Sequence, residues 1–320
     1  MSEEIVKNYY QGIYLTETIM GNPNGDFVDN SPRNFDGKVF TTDKCIKFNV
    51  RRYIHETVEN VHDKKDIVFF YPRLSEGAEK DDAKYQTKDD IFTEIFKGNF
   101  DELKKNSPDV RMFGGTFSFT ESGSKQIYGP IQLSYGKDIN NAQIKRLQIG
   151  APFATENGKQ TTTGSEAVVD DAIISYDITI NPNNYPGLLE ENDLNLFKES
   201  LWYGTNLRKS TSKKTDSKLL ILIKFANKRN DEKVTAINIG ELKELITIEN
   251  GKERKNQDNP VKKIKINTTQ LNGKLEKYND FIEEIMIYRD SSDVEIDITI
   301  DGFDSNKIKH LEPTKLLNGD

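Results

Sequence analysis

The 320-residue sequence has little of what disulfide frameworks, metal sites and membrane spans require. Its single cysteine, Cys45, excludes an intramolecular disulfide, and its three histidines (His55, His62 and His310) lack the paired spacing of structural zinc sites. No apolar run approaches the roughly 20 residues that cross a bilayer, and the first residues lack the basic and apolar regions of a signal peptide. We therefore expect a cytoplasmic protein with no metal or cofactor.

The net charge of −7 opposes nucleic-acid binding, since a negative field repels phosphate, but the charge is segregated along the chain. Residues 38–53 and 206–218 each contain five basic side chains and one acidic one. Residues 166–193 contain seven acidic residues, residues 290–304 contain six, and neither segment has a basic one. Such a chain can hold a polyanion on one surface while its other surfaces repel it. For any single cluster, the alternative to polyanion binding is an ordinary charged surface in contact with solvent.

Apolar and polar residues alternate over residues 12–20, which predicts a strand. One of its faces is small and polar, and we expect that face, which carries Tyr14, Thr16 and Thr18, to be suited to a ligand. A helix is predicted from Asp43 to Val61, with Thr42 as its N-cap. At 100° per residue, one arc of this helix carries four potentially cationic residues: Lys44, Lys47, Arg51 and His55.

The other elements complete the order β-α-β-β-α-β, so we predict an α+β fold with a ferredoxin-like or RRM-type plan. RRM-type sheets commonly bind RNA on an open face. We expect a single domain over residues 1–320, with further strands at 126–136, 172–181 and 218–225 and a helix at 193–204. An inserted segment at 75–107 is expected to carry one short helix, and residues 148–171 to form a protruding loop or hairpin. The C-terminal α+β portion at 226–320, which includes an amphipathic segment at 275–288, is expected to pack on the rest.

Three stretches in order, "GNPNGD…SPR…TTDKCIKFNVRRY", "DVRMFGGTF…GPIQLSYGKDI" and "FATENGKQTTTG", carry a family resemblance over about residues 12–225. The sequence resembles the backbone subunit of type I CRISPR-Cas surveillance complexes (Cascade), the Cas-seven (Cas7) family of the RAMP superfamily. It is most similar to the subtype I-B branch.

This resemblance implies an RRM-like palm whose copies stack head to tail into a helical filament along the CRISPR guide RNA (crRNA). A thumb hairpin, here roughly Ile149–Val169, is expected to reach across the neighbouring copy, kink the RNA and flip out a nucleotide. The guide then pairs with a target DNA strand, so base pairing reads the sequence while the protein contacts the backbone. The implied partners are guide RNA, target DNA, further copies of the chain and other Cascade subunits in antiviral defence. Such subunits bind RNA without cutting it.

The candidate RNA-binding residues follow from the matched motifs and from the basic segments. From the motifs they are Asn22, Asn24, Gly25, Arg33, Lys44, Lys47, Arg51, Arg52, Arg111 and Phe113. From the loops they are Phe153, which either wedges against a base or anchors the thumb, and Arg208, Lys209 and Lys213, which precede a central strand together with Lys214. Arginine and lysine suit a protein that must hold every guide alike through phosphate. For Phe113 we favour a place in the core, and for Arg111 a phosphate contact.

The segment "GNPNGD" predicts a turn, because Pro23 fixes φ while Asn24 and Gly25 tolerate left-handed geometry. Backbone N–H groups around Asn24–Asp26, with the amides of Asn22 and Asn24, would form a concave donor surface for a phosphate or a ribose hydroxyl.

Three alternative functions stay open. Asp26 matches the position of the metal-dependent ribonuclease aspartate in backbone subunits of type III complexes. A small-molecule enzyme on a ferredoxin-like fold lacks a visible nucleophile, base or cofactor motif. A general single-strand RNA-binding protein is the third.

Overall fold

The computed structural model describes residues 4–63, 65–75, 84–120, 123–151, 162–227, 237–256, 258 and 261–318. It is a mixed α+β structure. The strands are β1 (Tyr10–Gly21), β2 (Asn34–Phe35), β3 (Lys38–Thr41), β4 (Gly114–Phe119), β5 (Gly123–Tyr128), β6 (Ile131–Leu133), β7 (Gly136–Asp138), β8 (Ile144–Ala151), β9 (Thr162–Ile180), β10 (Thr215–Phe225), β11 (Thr247–Ile248), β12 (Ile264–Asn267), β13 (Ile282–Tyr288), β14 (Val294–Glu295) and β15 (Ile308–Leu311). The α-helices are α1 (Asp43–Thr57), α2 (Lys88–Glu94), α3 (Phe100–Asn106), α4 (Pro108–Phe113), α5 (Glu191–Leu207), α6 (Gly251–Arg254) and α7 (Thr269–Glu276). The 3₁₀ turns are Pro182–Asn184, Leu242–Leu245, Asn279–Phe281, Ser305–Lys307 and Pro313–Asn318. None of the helices in the described ranges is long and apolar enough to cross a membrane.

The largest sheet has the strand order β15-β13-β10-β1-β9-β7-β3-β2, and β6 and β8 also pair with β9. The central strand β1 is antiparallel to both β10 and β9, and β9 is antiparallel to β6 and β7. Beyond the sheet, β8 and β9 continue as a hairpin whose register runs from Ile144 opposite Val169 to Ala151 opposite Thr162. Phe153 lies outside the described residues.

Helices α1 and α5 pack together on one face of the sheet. Helix α1 begins where the sequence predicts, with the side chain of Thr42 accepting a hydrogen bond from the N–H of Cys45, and it ends at Thr57, four residues before the predicted end. The helices approach closely because residue 204 is glycine; a Cβ there would lie 2.5 Å from the carbonyl oxygen of Asn49.

The polar face of β1 is buried beneath these helices, which corrects the prediction that it faces a ligand. Tyr14, Thr16 and Thr18 are fully buried, and the Tyr14 hydroxyl donates to the carbonyl of Leu201 in α5 at 3.1 Å. The small threonine side chains allow the helices to pack closely on this face, and the face is not open to a ligand.

The opposite face of the sheet is covered by the C-terminal segment. Ile13 and Leu15 of β1 share one apolar cluster with Leu271 and Leu275 of α7 and with Ile285 of β13. The open RNA-binding sheet face that an RRM-type plan predicts is therefore covered at this part of β1.

A third apolar cluster joins the inserted segment to the hairpin β4–β5, with Phe69, Phe92, Phe117 and Phe119 among its members. The described residues of the insertion, 75 and 84–107, form two helices, α2 and α3, where the sequence predicted one. The predicted strand at 126–136 was wrong in detail, since it is divided among β5, β6 and β7. In the amphipathic segment at 275–288, residues 282–288 form strand β13, whose backbone pairs with β10.

Candidate nucleic-acid interface

Three segments that are separate in sequence meet at the N-terminal end of α1: the turn at 21–26, the first turns of α1, and the basic loop at 208–214. The N–H of Asn22 donates to the carbonyl of Ser212 at 2.7 Å, and Nζ of Lys213 donates to the carbonyl of Asn22 at 3.1 Å. Nη1 of Arg208 donates to Oδ1 of Asn49 at 3.1 Å and lies 3.3 Å from Sγ of Cys45. The sequence-predicted residues of the turn and the loop therefore belong to one surface.

The turn is held by hydrogen bonds to Thr42 and to the residues that follow it. Oδ1 of Asn24 accepts from the N–H and the hydroxyl of Thr42, at 3.0 and 3.2 Å. The N–H of Asp26 donates to the carbonyl of Ser31 at 2.8 Å, and the amide of Asn22 donates to the carbonyl of Asn30 at 2.5 Å. Two donors of the predicted concave surface, the N–H of Asp26 and the amide of Asn22, are thus engaged within the protein. The turn fixes the start of α1 and the position of the basic loop, while Gly25 faces Pro32 across the loop in an isolated bridge.

The cations of the basic loop differ in how far they are engaged. Lys209 pairs with Asp216 at 2.5 Å, and the guanidinium of Arg208 lies 5.0 Å from the ring centre of Phe48. Lys213 is half-buried; its burial, with the charge of Arg208, lowers the pKa of its ammonium group. Lys214 is exposed. Lysines in such positions give a positive field next to the turn.

A cleft of about 340 Å³ lies where the turn and the basic loop meet the hairpin of β8 and β9. Its lining residues are Asn22, Gly25, Asp29, Asn30, Ser165, Glu166, Ala167, Ser212 and Lys213. The Oδ1 atom of Asn22 is buried and has no hydrogen-bond partner within the described part of the protein. The cleft is mainly polar, and Lys213 lines it together with Ser165, Glu166 and Ala167 of the hairpin.

The basic residues of α1 divide into exposed and half-buried ones. Lys44 and Arg52 are at or near the surface, and Arg52 pairs with Glu56 at 2.7 Å. Lys47 and Arg51 both lie over the ring of Phe113, at 5.3 and 5.4 Å from its centre. Burial lowers the pKa of Lys47, and Asp43 at 3.2 Å opposes that effect. Nε of Arg51 donates to Oδ2 of the buried Asp109 at 2.9 Å, so Arg51 also ties α1 to α4.

Arg111 and Phe113 are inside the protein. Nε and Nη2 of Arg111 donate to the two carboxylate oxygens of Asp193 in α5, both at 2.8 Å, and Nη1 donates to the carbonyls of Lys104 and Lys105. The residue is only 6% exposed. We therefore withdraw the predicted phosphate contact for Arg111. Phe113 packs edge-on against Phe197 in the main core, the place that the sequence favoured.

Arg33 stands apart from the basic loop, on the segment that follows the turn. Its guanidinium pairs with Asp26 at 3.2 Å and lies 5.3 Å from the ring centre of Phe27. Asp26 also accepts from the N–H of Val28 at 2.8 Å. Within the described ranges no group of three or more potential ligand side chains is placed to hold a metal ion.

Sequence reasoning missed several residues that build this surface. Ser212 and Asn49 act through a backbone carbonyl and an amide oxygen, and their types carry no signal of such a role. Phe27 and Phe35 are 94% and 75% exposed. The sequence does contain a signal for these two residues, because they are aromatic side chains in a polar loop on either side of Pro32 and Arg33.

The family model for "CRISPR-associated protein Cas7" matches residues 8–270 of the chain. The chain belongs to the Cas7 family. Two solved structures have a similar fold. One, described as "CRISPR RNA-guided surveillance complex, pre-nicking", has a TM-score of 0.52 and 9% identity over 97% of this chain and 98% of that chain. The other, described as "CRISPR RNA-guided surveillance complex", has a TM-score of 0.50 and 10% identity over 97% of each chain. No curated protein sequence matches significantly.

Proposed function

We propose that this Cas7-family chain is the guide-RNA-binding backbone subunit of a cytoplasmic type I surveillance complex, most similar to the subtype I-B branch. Copies of it polymerise along CRISPR RNA with the other Cascade subunits and present the guide for pairing with a target DNA strand in antiviral defence. The subunit binds RNA and does not cut it. We interpret β1, β6, β7, β9 and β10 with α1 and α5 as an RRM-like palm, and the β8–β9 hairpin as its thumb.

The observation that carries this proposal is the meeting of the turn, the start of α1 and the basic loop. It gathers cations from two parts of an acidic chain, including the exposed Lys44 and Lys214 and the half-buried Arg208 and Lys213, at one end of one helix. The hairpin root and the cleft lie beside them. Contacts of this kind, directed at phosphate and ribose, suit a protein that must hold guides of any sequence.

The test is co-purification. The chain is expressed with its neighbouring genes, and the RNA retained by the particle is sequenced. Uniform repeat-spacer guides in a multi-subunit particle are expected, whereas random RNA or none would overturn the proposal. Metal-dependent cutting of a guide-matched RNA, abolished by Asp26→Ala, would instead favour a ribonuclease.

A matched pair of double variants tests the surface itself. Lys44→Gln with Lys214→Gln removes two exposed cations, and we expect weaker retention for all guide sequences and a salt slope smaller by about two. Lys262→Gln with Lys277→Gln makes the same change in charge on the C-terminal segment that covers the opposite face, and it should leave both quantities unchanged. Equal effects from the two pairs would contradict the assignment of this surface.

A further inference from the structure

Two aromatic side chains next to the turn are directed into solvent. Phe27 is 94% exposed and Phe35 is 75% exposed, although both lie in folded backbone. Single exposed apolar residues are common on protein surfaces. These two are unusual because they flank an arginine and adjoin a surface that already carries cations.

The backbone holds Phe27 in place from both sides. Oδ1 of Asp26 accepts from the N–H of Val28 at 2.8 Å, and the carbonyl of Asp26 accepts from the N–H of Asn30 at 3.1 Å. Asp29 then accepts from the N–H and the hydroxyl of Ser31, at 2.9 and 2.8 Å. The ring of Phe27 is therefore presented by a closed loop, which lowers the conformational entropy that a ligand would have to remove.

A cation lies near one face of the Phe27 ring. The guanidinium of Arg33 is 5.3 Å from the ring centre, within the range of a cation–π contact. Phe35 follows Arg33 by two positions in extended backbone, so the two side chains are directed to the same side. Asp36 and Gly37, with φ of 48° and 79°, then turn the chain back into β3, which leaves Phe35 at the tip of a tight hairpin.

The negative charges at this tip each have a cation nearby, and the exposed Asp36 lies two positions from the exposed Lys38. Asp26 is paired with Arg33, and Asp29 is paired with the exposed Arg146 of the thumb hairpin at 3.4 Å. Hydrogen bonds from Ser31, followed by a smaller contribution from Arg146, lower the pKa of Asp29. The basic loop lies close by, since Asn22 contacts both Ser212 and Lys213.

The apolar area is small for a protein partner. One phenylalanine buries about 150–250 Å², so Phe27 and Phe35, even together with the exposed Val28, supply less than the roughly 800 Å² per partner of a stable protein interface. A single base covers one ring face, and the aromatic and guanidinium planes that single-stranded nucleic acid stacks on are the groups present here.

We propose that Phe27, Arg33 and Phe35 form a stacking platform for unpaired bases of single-stranded nucleic acid. This inference rests on the proposed function and adds to it a base contact beside the phosphate contacts. It is tolerant of sequence, because every base has a π face.

The test uses Phe27→Trp in the full-length chain. The only natural tryptophan, Trp202, is 4% exposed, so a tryptophan at position 27 reports on the loop. Titration with oligouridine or oligoadenosine is expected to quench its emission, and Phe27→Ala is expected to weaken binding of both by about 5- to 100-fold. Phe27→Leu keeps apolar bulk without a π face and should weaken binding nearly as much as Phe27→Ala.

Each other outcome overturns the platform in a recognisable way. If the wild type binds RNA while Phe27→Trp is not quenched and Phe27→Ala binds normally, the platform is wrong and the proposed function stands. An emission change that depends on protein concentration without RNA would assign the loop to a contact between copies. Absence of RNA binding by the wild type, both alone and in its complex, would overturn the platform and the proposed function together.

Discussion

Oδ1 of Asn24 accepts two hydrogen bonds from Thr42, one from its N–H at 3.0 Å and one from its hydroxyl at 3.2 Å. Thr42 is the N-cap of α1, so the Asn-Pro turn is joined to the beginning of the helix that carries much of the basic surface. The turn thus helps to position the basic surface of α1, in addition to any contact that the turn itself makes with RNA.

Asn24→Ala is therefore expected to destabilise the protein. It removes both hydrogen bonds and leaves the N–H of Thr42 without this acceptor, which we expect to cost about 1–2 kcal/mol. Asn24→Asp retains an acceptor oxygen and should recover most of that stability. Urea unfolding followed by circular dichroism measures the difference, and an unchanged midpoint for Asn24→Ala would show that the link contributes nothing to the fold.

A second prediction concerns the buried pair of Arg111 and Asp193. Arg111→Ala would leave the carboxylate of Asp193, which is 2% exposed, with the N–H of Glu190 at 3.1 Å and without its cation. Removal of one member of a buried pair costs about 3–5 kcal/mol. Arg111→Lys keeps the charge but not the forked pair of donors, so its loss should be smaller.

Denaturant unfolding of Arg111→Ala and Arg111→Lys gives these values. Under conditions in which Arg111→Ala is folded, its salt slope of RNA binding should equal that of the wild type, because no cation is lost from the RNA-binding surface. A smaller slope with unchanged stability would show that Arg111 contacts phosphate after all.

The sequence predicted elements whose signals are local and missed contacts that depend on distant residues. The start of α1 followed from Thr42 and the apolar period behind it, and the central strand followed from its alternation. The partner of Arg111 is 82 positions away in sequence, and neither residue type nor spacing indicates that the two meet. Position 111 therefore looked like a surface cation.

The same distinction applies to the segment at 275–288. Apolar residues at Ile282, Ile285 and Met286 suit the helical period, and Ile285 with Ile287 also suits a strand. Pairing with β10, from Leu220 opposite Tyr288 to Phe225 opposite Ile282, decides for the strand. That choice depends on a neighbour more than 50 residues away, which a local pattern does not contain.

A third prediction concerns pH. Burial alone would raise the pKa of Glu59, but hydrogen bonds from Arg73 and from the N–H of Val68 outweigh it and hold the pKa below the ordinary value of 4.5. The folded state therefore binds a proton less readily than the unfolded one. The resulting stabilisation is complete above the unfolded value and is lost as the pH falls through the folded one.

Glu59→Gln should remove this dependence. At pH 7 we expect the variant to be less stable than the wild type by about 1.5–3 kcal/mol, the range for hydrogen bonds to a charged group. The difference should shrink as the pH falls from about 5.5 to about 3. Urea unfolding across this range measures it, and a difference that stays constant would mean that the Glu59 carboxylate contributes no pH dependence.

The last prediction concerns Arg254 of α6, whose buried guanidinium contacts Glu17 of β1 and Asp171 of β9, the latter at 3.2 Å. Asp171 lies two residues beyond Val169, where pairing between β8 and β9 begins, so this network joins the C-terminal segment to the root of the β8–β9 hairpin.

Arg254→Met removes the cation that the two buried carboxylates share, although Lys218 at 3.3 Å continues to pair with Glu17. We expect a loss of about 3–5 kcal/mol in unfolding free energy and faster amide hydrogen exchange over residues 144–150 and 164–171. Arg52→Met is the control, because it breaks an exposed pair worth about 0.3–0.5 kcal/mol. If exchange rose equally throughout the sheet, Arg254 would be a general stabiliser. A rise concentrated at the hairpin would show that the C-terminal segment holds the β8–β9 hairpin in its orientation.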